Sequence, residues 1–160
     1  MKKLLFIMAT LVVVMLFTSA SSNNGKGGIV GTSAGDFTIS NASGVVSLSQ
    51  FRGKYVLLTL WSSTDVVSRL DNIKNDRNAS MRADVVPLSV NFDRSRALFD
   101  ELVAADSLDT SAQYYCERQD RSIFEKKWGW GQQFNSYLIS PSGTVVAVNP
   151  TDQEINRLVK

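Results

Sequence analysis

The side chains that could take part in chemistry are concentrated in one short polar turn. Residues 61–69 read WSSTDVVSR, so Asp65 and Ser68 could present a carboxylate and a hydroxyl three positions apart. A hydroxyl nucleophile needs a neighbouring base, most often histidine, and the chain contains no histidine. Asp65 is therefore either the cap of a helix that follows the turn or a catalytic carboxylate. We favour the cap, because no base, metal site or paired acid accompanies Asp65.

Cys116 is the only cysteine, which excludes an internal disulfide and a zinc site built from several thiolates. Without histidine, imidazole-based metal sites are excluded as well, and we expect neither a metal nor a cofactor. Two interpretations of Cys116 stay open. It could be a small buried apolar residue, as free cysteines often are. Alternatively, it could be an exposed reactive thiol whose thiolate is favoured by Arg118.

The elements around the turn predict where it lies in the fold. The apolar run Tyr55–Trp61 before it has the length and composition of a strand buried on both faces of a sheet. A helix should follow, with Val66, Leu70 and Ile73 as its apolar positions. Residues 85–92 predict a second strand, which is followed by another helix. The turn would then lie at the carboxyl end of a central parallel strand, where α/β sheets commonly bind ligands.

The remaining segments predict how the sheet is completed. Residues 41–44 can form the tight turn of a hairpin, and a third helix should end at Gly129. A second hairpin is predicted around residues 141–143, and Thr151 with Glu154 forms a capping box for a terminal helix. The predicted fold class is α/β, with a mixed central β-sheet flanked by helices and an N-terminal β-hairpin extension.

The N-terminal residues predict export. Lys2 and Lys3 precede an apolar run of 14 residues, and Ala20 suits cleavage. The run is shorter than the roughly 20 residues that span a bilayer, so we predict a signal peptide over residues 1–20, with an uncleaved anchor as the alternative. Residues 21–35 contain five glycines and predict a flexible leader. Residues 36–160 should form a single domain.

Residues 48–63, LSQFRGKYVLLTLWSS, resemble the redox segment of bacterial extracytoplasmic thiol-disulfide oxidoreductases. These are the thioredoxin-like TlpA/ResA group, related to AhpC/TSA peroxiredoxins, in which a similar segment continues as W-A-S-W-C-x-x-C-R. Residues 85–92, 128–130 and 137–146 resemble later segments of the group in the same order. The resemblance therefore covers about residues 36–160 and implies a thioredoxin-like fold.

The resemblance also shows what the chain has lost. When Trp61 and Arg69 are aligned with the group's tryptophan and arginine, the C-x-x-C positions read Asp65-Val66-Val67-Ser68. The position of the group's cis-proline falls on Phe134. Thiol-disulfide exchange needs an attacking thiolate and a second, resolving thiol. The resemblance thus implies a scaffold that has lost its redox chemistry.

From these observations we expect a redox-inactive, periplasmic or otherwise extracytoplasmic protein that binds a protein or peptide in the cell envelope. The candidate binding residues surround the former redox positions: Trp61, Thr64, Asp65, Trp130 and Phe134. Nucleic acid is not expected as a partner, because without Lys2 and Lys3 the chain has 15 basic and 15 acidic residues. Contact with a membrane is expected only through an uncleaved N-terminal segment. The alternatives are a single-thiol redox protein using Cys116, a residual member of an envelope thiol-disulfide exchange pathway, and a decayed paralogue.

Overall fold

A computed structural model describes residues 28–41, 43–128 and 133–159. Its strands and helices follow one another in chain order: β1 (Thr38–Asn41), β2 (Gly44–Ser47), β3 (Tyr55–Trp61), α1 (Val66–Ser80), β4 (Val85–Asn91), α2 (Arg96–Ala105), β5 (Gln113–Tyr115), α3 (Arg121–Trp128), β6 (Ser136–Ile139), β7 (Val145–Val148) and α4 (Asp152–Leu158). A single 3-10 turn, Leu48–Phe51, links the first hairpin to β3.

The main sheet has the strand order β5-β4-β3-β6-β7, while β1 and β2 form a separate antiparallel hairpin. β3 pairs in parallel with β4 from Tyr55 opposite Val85 to Trp61 opposite Asn91, and it pairs antiparallel with β6 on its other side. The predicted fold class, a mixed sheet flanked by helices with an N-terminal hairpin, is confirmed. The prediction missed β5, whose three residues are too few for a recognisable pattern.

The apolar run of β3 is explained by cores on both faces of the sheet. Val56, Leu58 and Leu60 belong to the core that also contains residues of the hairpin and α3. Leu57 packs with Ala79 of α1 and Ile155 of α4 on the opposite face. A strand covered on both sides has no solvent-facing positions, which is why the run shows no alternation.

The predicted apolar face of α1 is wrong at two of its three positions, while Ile73 is half-buried and packs against the core that contains Trp61. Val66 and Leu70 have 69% and 60% of their surface exposed, whereas the buried residues of the helix are mainly polar and include Asn72, Asn75 and Asp76. The helix therefore turns mainly polar side chains toward the sheet, together with Ile73 and Ala79, and exposes Val66 and Leu70 to solvent.

Hydrogen bonds explain why the inner face of α1 tolerates polar residues. Asn75 Nδ2 donates to Thr59 Oγ1 at 3.0 Å and to Ser136 Oγ at 2.9 Å, both on neighbouring strands of the sheet. Asn72 Nδ2 donates to Gln113 Oε1 at 3.1 Å, and Gln113 Nε2 donates in turn to a buried carboxylate oxygen of α1. Buried polar groups are tolerated when they find such partners.

The last part of the predicted flexible leader is bound to the sheet. Gly31 N donates to Val145 O at 2.8 Å, Val145 N donates to Thr32 O at 2.9 Å, and Ala34 is fully buried. The prediction of a flexible leader is therefore wrong for residues 31–34. The physical reason is that β7 ends the sheet, and its outer backbone groups find partners in this segment.

The predicted signal peptide, residues 21–27 of the predicted leader and the predicted end of α3 at Gly129 lie outside the described residues. Within the ranges that the structure describes, no helix has the length and apolar character to cross a membrane.

Candidate functional site

The polar turn lies between β3 and α1, at the carboxyl end of the central strand. Asp65 is the N-cap of α1, and its Oδ1 accepts a hydrogen bond from Ser68 N at 2.8 Å. The cap predicted from the sequence is confirmed. A capping carboxylate satisfies a backbone N–H that the helix itself leaves unpaired and also interacts favourably with the helix dipole.

Ser68, which the sequence resemblance aligns with the second cysteine, is directed into the protein. It is buried, its Oγ donates to Asp65 O at 3.0 Å, and Ser62 N donates to the same Oγ at 3.3 Å. Asp65 and Ser68 thus both stabilise the turn through hydrogen bonds.

A buried carboxylate that sequence reasoning missed anchors this turn from the neighbouring strand. Asp93 follows β4 and is 4% exposed. Its Oδ1 accepts from Ser62 Oγ at 2.6 Å and from Ser63 N at 2.9 Å, and its Oδ2 accepts from Asn91 Nδ2 at 3.0 Å. The loops after β3 and β4 are therefore held together. The available signal was a polar residue directly after the second predicted parallel strand, since parallel strands end at one edge of the sheet.

A groove of about 490 Å³ opens beside this anchored turn. Its lining combines hydroxyl groups, apolar side chains and two arginines with the buried carboxylate: Ser62, Ser63, Thr64, Ser95, Phe92, Leu98, Phe134, Arg94, Arg121 and Asp93.

The candidate binding residues differ in their exposure and in whether they line the groove. Thr64 is exposed and lines the groove, and Phe134 is half-buried there with its ring centroid 5.8 Å from that of Phe92. Asp65 is half-buried beside Thr64. Trp130 lies outside the described residues, so its predicted role stays a prediction.

The binding role that the sequence predicts for Trp61 does not fit the structure. Its side chain is fully buried, with its ring centroid 6.2 Å from that of Phe99, in a core that also contains Val103 and Tyr115. A partner cannot reach it in this fold. Side chains an even number of residues apart in a strand point to the same face of the sheet. Trp61 therefore faces the same layer of helices as Leu57, four residues earlier.

Exposed apolar side chains continue the surface next to Thr64. Val66, Val67 and Leu70 occupy the first two turns of α1 and are largely exposed. Clustered exposed apolar side chains indicate a binding surface more often than isolated ones do.

Cys116 is fully buried. Burial raises the pKa of its thiol to about 12, and the positive charge of Arg121 offsets this only in part. The buried interpretation of Cys116 is confirmed. The cation whose charge acts on this thiol is Arg121 of α3, whereas the sequence predicted Arg118. Among the residues that the structure describes, no group of acidic, cysteine or histidine side chains could hold a metal ion.

No protein-family model matches the sequence, and no curated protein matches it. Solved structures, in contrast, are similar to this chain. A thioredoxin-like protein from Parabacteroides distasonis is 26% identical with a TM-score of 0.62, over 66% of this chain and 79% of that one. The thioredoxin domain of a thiol-disulfide oxidoreductase from Bacteroides vulgatus is 19% identical with a TM-score of 0.73, over 82% of this chain and 99% of that one. A thiol:disulfide interchange protein from a Bacteroides species is 20% identical with a TM-score of 0.71, over 83% of this chain and 89% of that one.

These similarities establish a thioredoxin-like fold for this chain. Its structural neighbours are thiol-disulfide oxidoreductases, as the sequence resemblance implies. At this level of identity the likeness extends to the fold, and the activities belong to the neighbours. This chain has one cysteine, and that cysteine is buried.

Proposed function

We propose that this chain is an exported thioredoxin-fold protein that binds a protein or peptide in the cell envelope and does not exchange disulfides. The observation that carries the proposal is the state of the two former redox positions. Asp65 caps α1 and the hydroxyl of Ser68 is buried in the turn. Neither group can form a mixed disulfide, which is the intermediate of the exchange reaction. Export rests on the sequence of residues 1–20.

Burial argues against the single-thiol alternative. The thiolate is the nucleophile in thiol chemistry, and a thiol with a pKa of about 12 remains protonated at neutral pH. A partner's disulfide would also have to reach Cys116 inside the core that contains Phe124. A residual role in thiol-disulfide exchange meets the same obstacle, because it needs an accessible thiol.

The surface beside the turn supports binding. The groove has apolar walls at Leu98 and Phe134, and the outer face of α1 exposes Val66 and Val67 next to it. Together they form an apolar surface with a polar rim, as protein-binding sites commonly do.

The first prediction concerns redox chemistry. In an insulin-reduction assay with dithiothreitol, insulin should precipitate at the uncatalysed rate. Near pH 8, Cys116 in the native protein should react with a thiol reagent about a thousandfold more slowly than in the denatured protein, because its raised pKa leaves very little thiolate. Accelerated precipitation, or rapid labelling of the native protein, would contradict the proposal.

The second prediction concerns binding. A tagged protein incubated with envelope extracts should retain a partner that Thr64→Arg loses, because Thr64 is exposed at the groove and an arginine there would occupy it. Thr38→Arg is the matched control, since Thr38 is exposed on β1 and does not line the groove. Identical retention by both variants, or no retained partner, would favour a decayed paralogue.

A further inference from the structure

The contact between α1 and the sheet is mainly polar. The helix buries four polar residues and one apolar residue: Ser68, Asn72, Asn75, Asp76 and Ala79. By contrast, α2 buries Phe99 and Val103. α3 buries Phe124 and Trp128. Because burial of apolar surface is the dominant favourable term in folding, α1 gains less free energy from packing than α2 and α3 do.

The polar layer under α1 also contains groups that are incompletely compensated. Asn72 is fully buried, and its Oδ1 has no hydrogen-bond partner among the described residues. The carboxylate of Asp76 is 5% exposed and accepts hydrogen bonds from Gln113 Nε2 at 3.1 Å and from Asp109 N at 3.2 Å. Within the described ranges, no basic side chain forms an ion pair with this carboxylate. Buried polar atoms without partners and buried charges without counter-charges reduce the stability of the contact.

The main core of the protein does not depend on α1. The largest hydrophobic core among the described residues lies on the other face of the sheet and contains no residue of this helix. α1 contributes Ala79 to a second core and the half-buried Ile73 to a third. Separation of α1 from the sheet would therefore leave the main core in place, together with the pairing of β3 with β4 and β6.

We propose that α1 is a separately opening unit of the fold, which leaves the sheet as one cooperative segment while the main core stays closed. Proteins open in such contiguous units, and segments with few buried apolar contacts open at the lowest free energy. The opening breaks the hydrogen bonds that Asn75 donates to Thr59 and Ser136. This inference is independent of the proposed binding function, because it concerns the chain without a partner.

The opening extends to the candidate site, because α1 begins at the polar turn. Ser68 N donates to Asp65 Oδ1, and Ser62 N donates to Ser68 Oγ, only while the first turn of the helix is in place. Asp93 holds Ser62 from β4 and does not need α1. The open form therefore keeps the side of the groove at Asp93 and loses the ordered helix start beside it.

Native-state hydrogen exchange of the full chain, measured at increasing low concentrations of denaturant, tests the inference. Amides of residues 70–79 should exchange on the order of a hundredfold faster than those of β3, and their exchange should accelerate together as denaturant is added. Equal rates in α1 and β3 would show that the helix opens only when the whole protein unfolds, which would overturn the inference. Fast exchange that does not respond to denaturant would overturn it too, because it would indicate fluctuation of single residues.

Two variants test whether the polar layer is the cause. Asn75→Leu combined with Thr59→Val and Ser136→Ala replaces a complete hydrogen-bonded set by apolar groups, which is tolerated better than removal of one partner. Exchange in α1 should then slow by about tenfold relative to exchange in β3.

Leu70→Gln is the matched control for the triple variant. It changes an exposed position of the same helix to a residue of similar helix propensity, so the exchange rates of α1 should stay within about twofold of those of the natural chain. An unchanged difference between α1 and β3 in the triple variant would overturn the polar layer as the cause. The exchange pattern of the natural chain decides the inference even if the triple variant does not fold.

Discussion

Asp65→Cys combined with Ser68→Cys is expected to give a protein that forms an internal disulfide and reduces insulin, neither of which the natural chain should do. The two positions are the cap of α1 and its third residue, and Asp65 Oδ1 already lies 2.8 Å from Ser68 N. Side chains three positions apart on a helix lie about 5–6 Å from each other at Cβ, so a small adjustment at the non-helical cap closes the distance to a disulfide. The helix N-terminus should also lower the pKa of the first thiol.

Thiol titration of the oxidised, denatured double variant measures the first effect. One thiol, that of Cys116, should remain after oxidation, and three should appear after reduction. Loss of the cap costs the helix about 1 kcal/mol, which is small compared with the stability of a typical domain. The single variant Asp65→Cys is the control, because one thiol at the turn cannot resolve a mixed disulfide. Three free thiols after oxidation would show that the turn does not hold the two side chains within disulfide distance.

Trp61→Ala is expected to lower the free energy of unfolding by about 3–5 kcal/mol, because it removes a large, fully buried ring that packs against Phe99. Denaturant unfolding followed by circular dichroism measures this loss. Trp61→Phe should cost much less. It keeps an aromatic ring in the core and removes an indole N–H that has no hydrogen-bond partner in the described part of the chain.

The same pair of variants distinguishes packing from binding at Trp61. If Trp61 only fills the core, tagged Trp61→Phe should retain the same partner from envelope extracts as the natural chain. Unchanged stability of Trp61→Ala together with loss of that partner would instead support the binding role that the sequence predicts for this residue.

Features governed by neighbouring residues were predictable from the sequence. Asp65 caps α1, and Thr151 forms a capping box with Glu154, because a cap depends on side chains within a few positions of the helix start. β3 was equally clear, since burial on both faces requires an unbroken apolar run. The resemblance identified the fold because it depends on short sequence segments and on their order along the chain.

Features governed by distant residues were not predictable in this way. The inner face of α1 is polar because Thr59 and Ser136, far away in sequence, provide partners for Asn75. Asp93 became part of the site because two loops meet at one edge of the sheet. The orientation of Trp61 depended on which layer of helices covers each face of β3, and a run without alternation does not reveal that.

The pairing of residues 31–34 with β7 affects how the protein can be shortened. A version trimmed to begin at Asp36, where the sequence places the domain boundary, would uncover the outer backbone groups at the start of β7. Uncovered strand edges readily recruit strands from other molecules, so such a version would be prone to self-association. We therefore expect the short stretch before the hairpin to limit aggregation through this edge of the sheet.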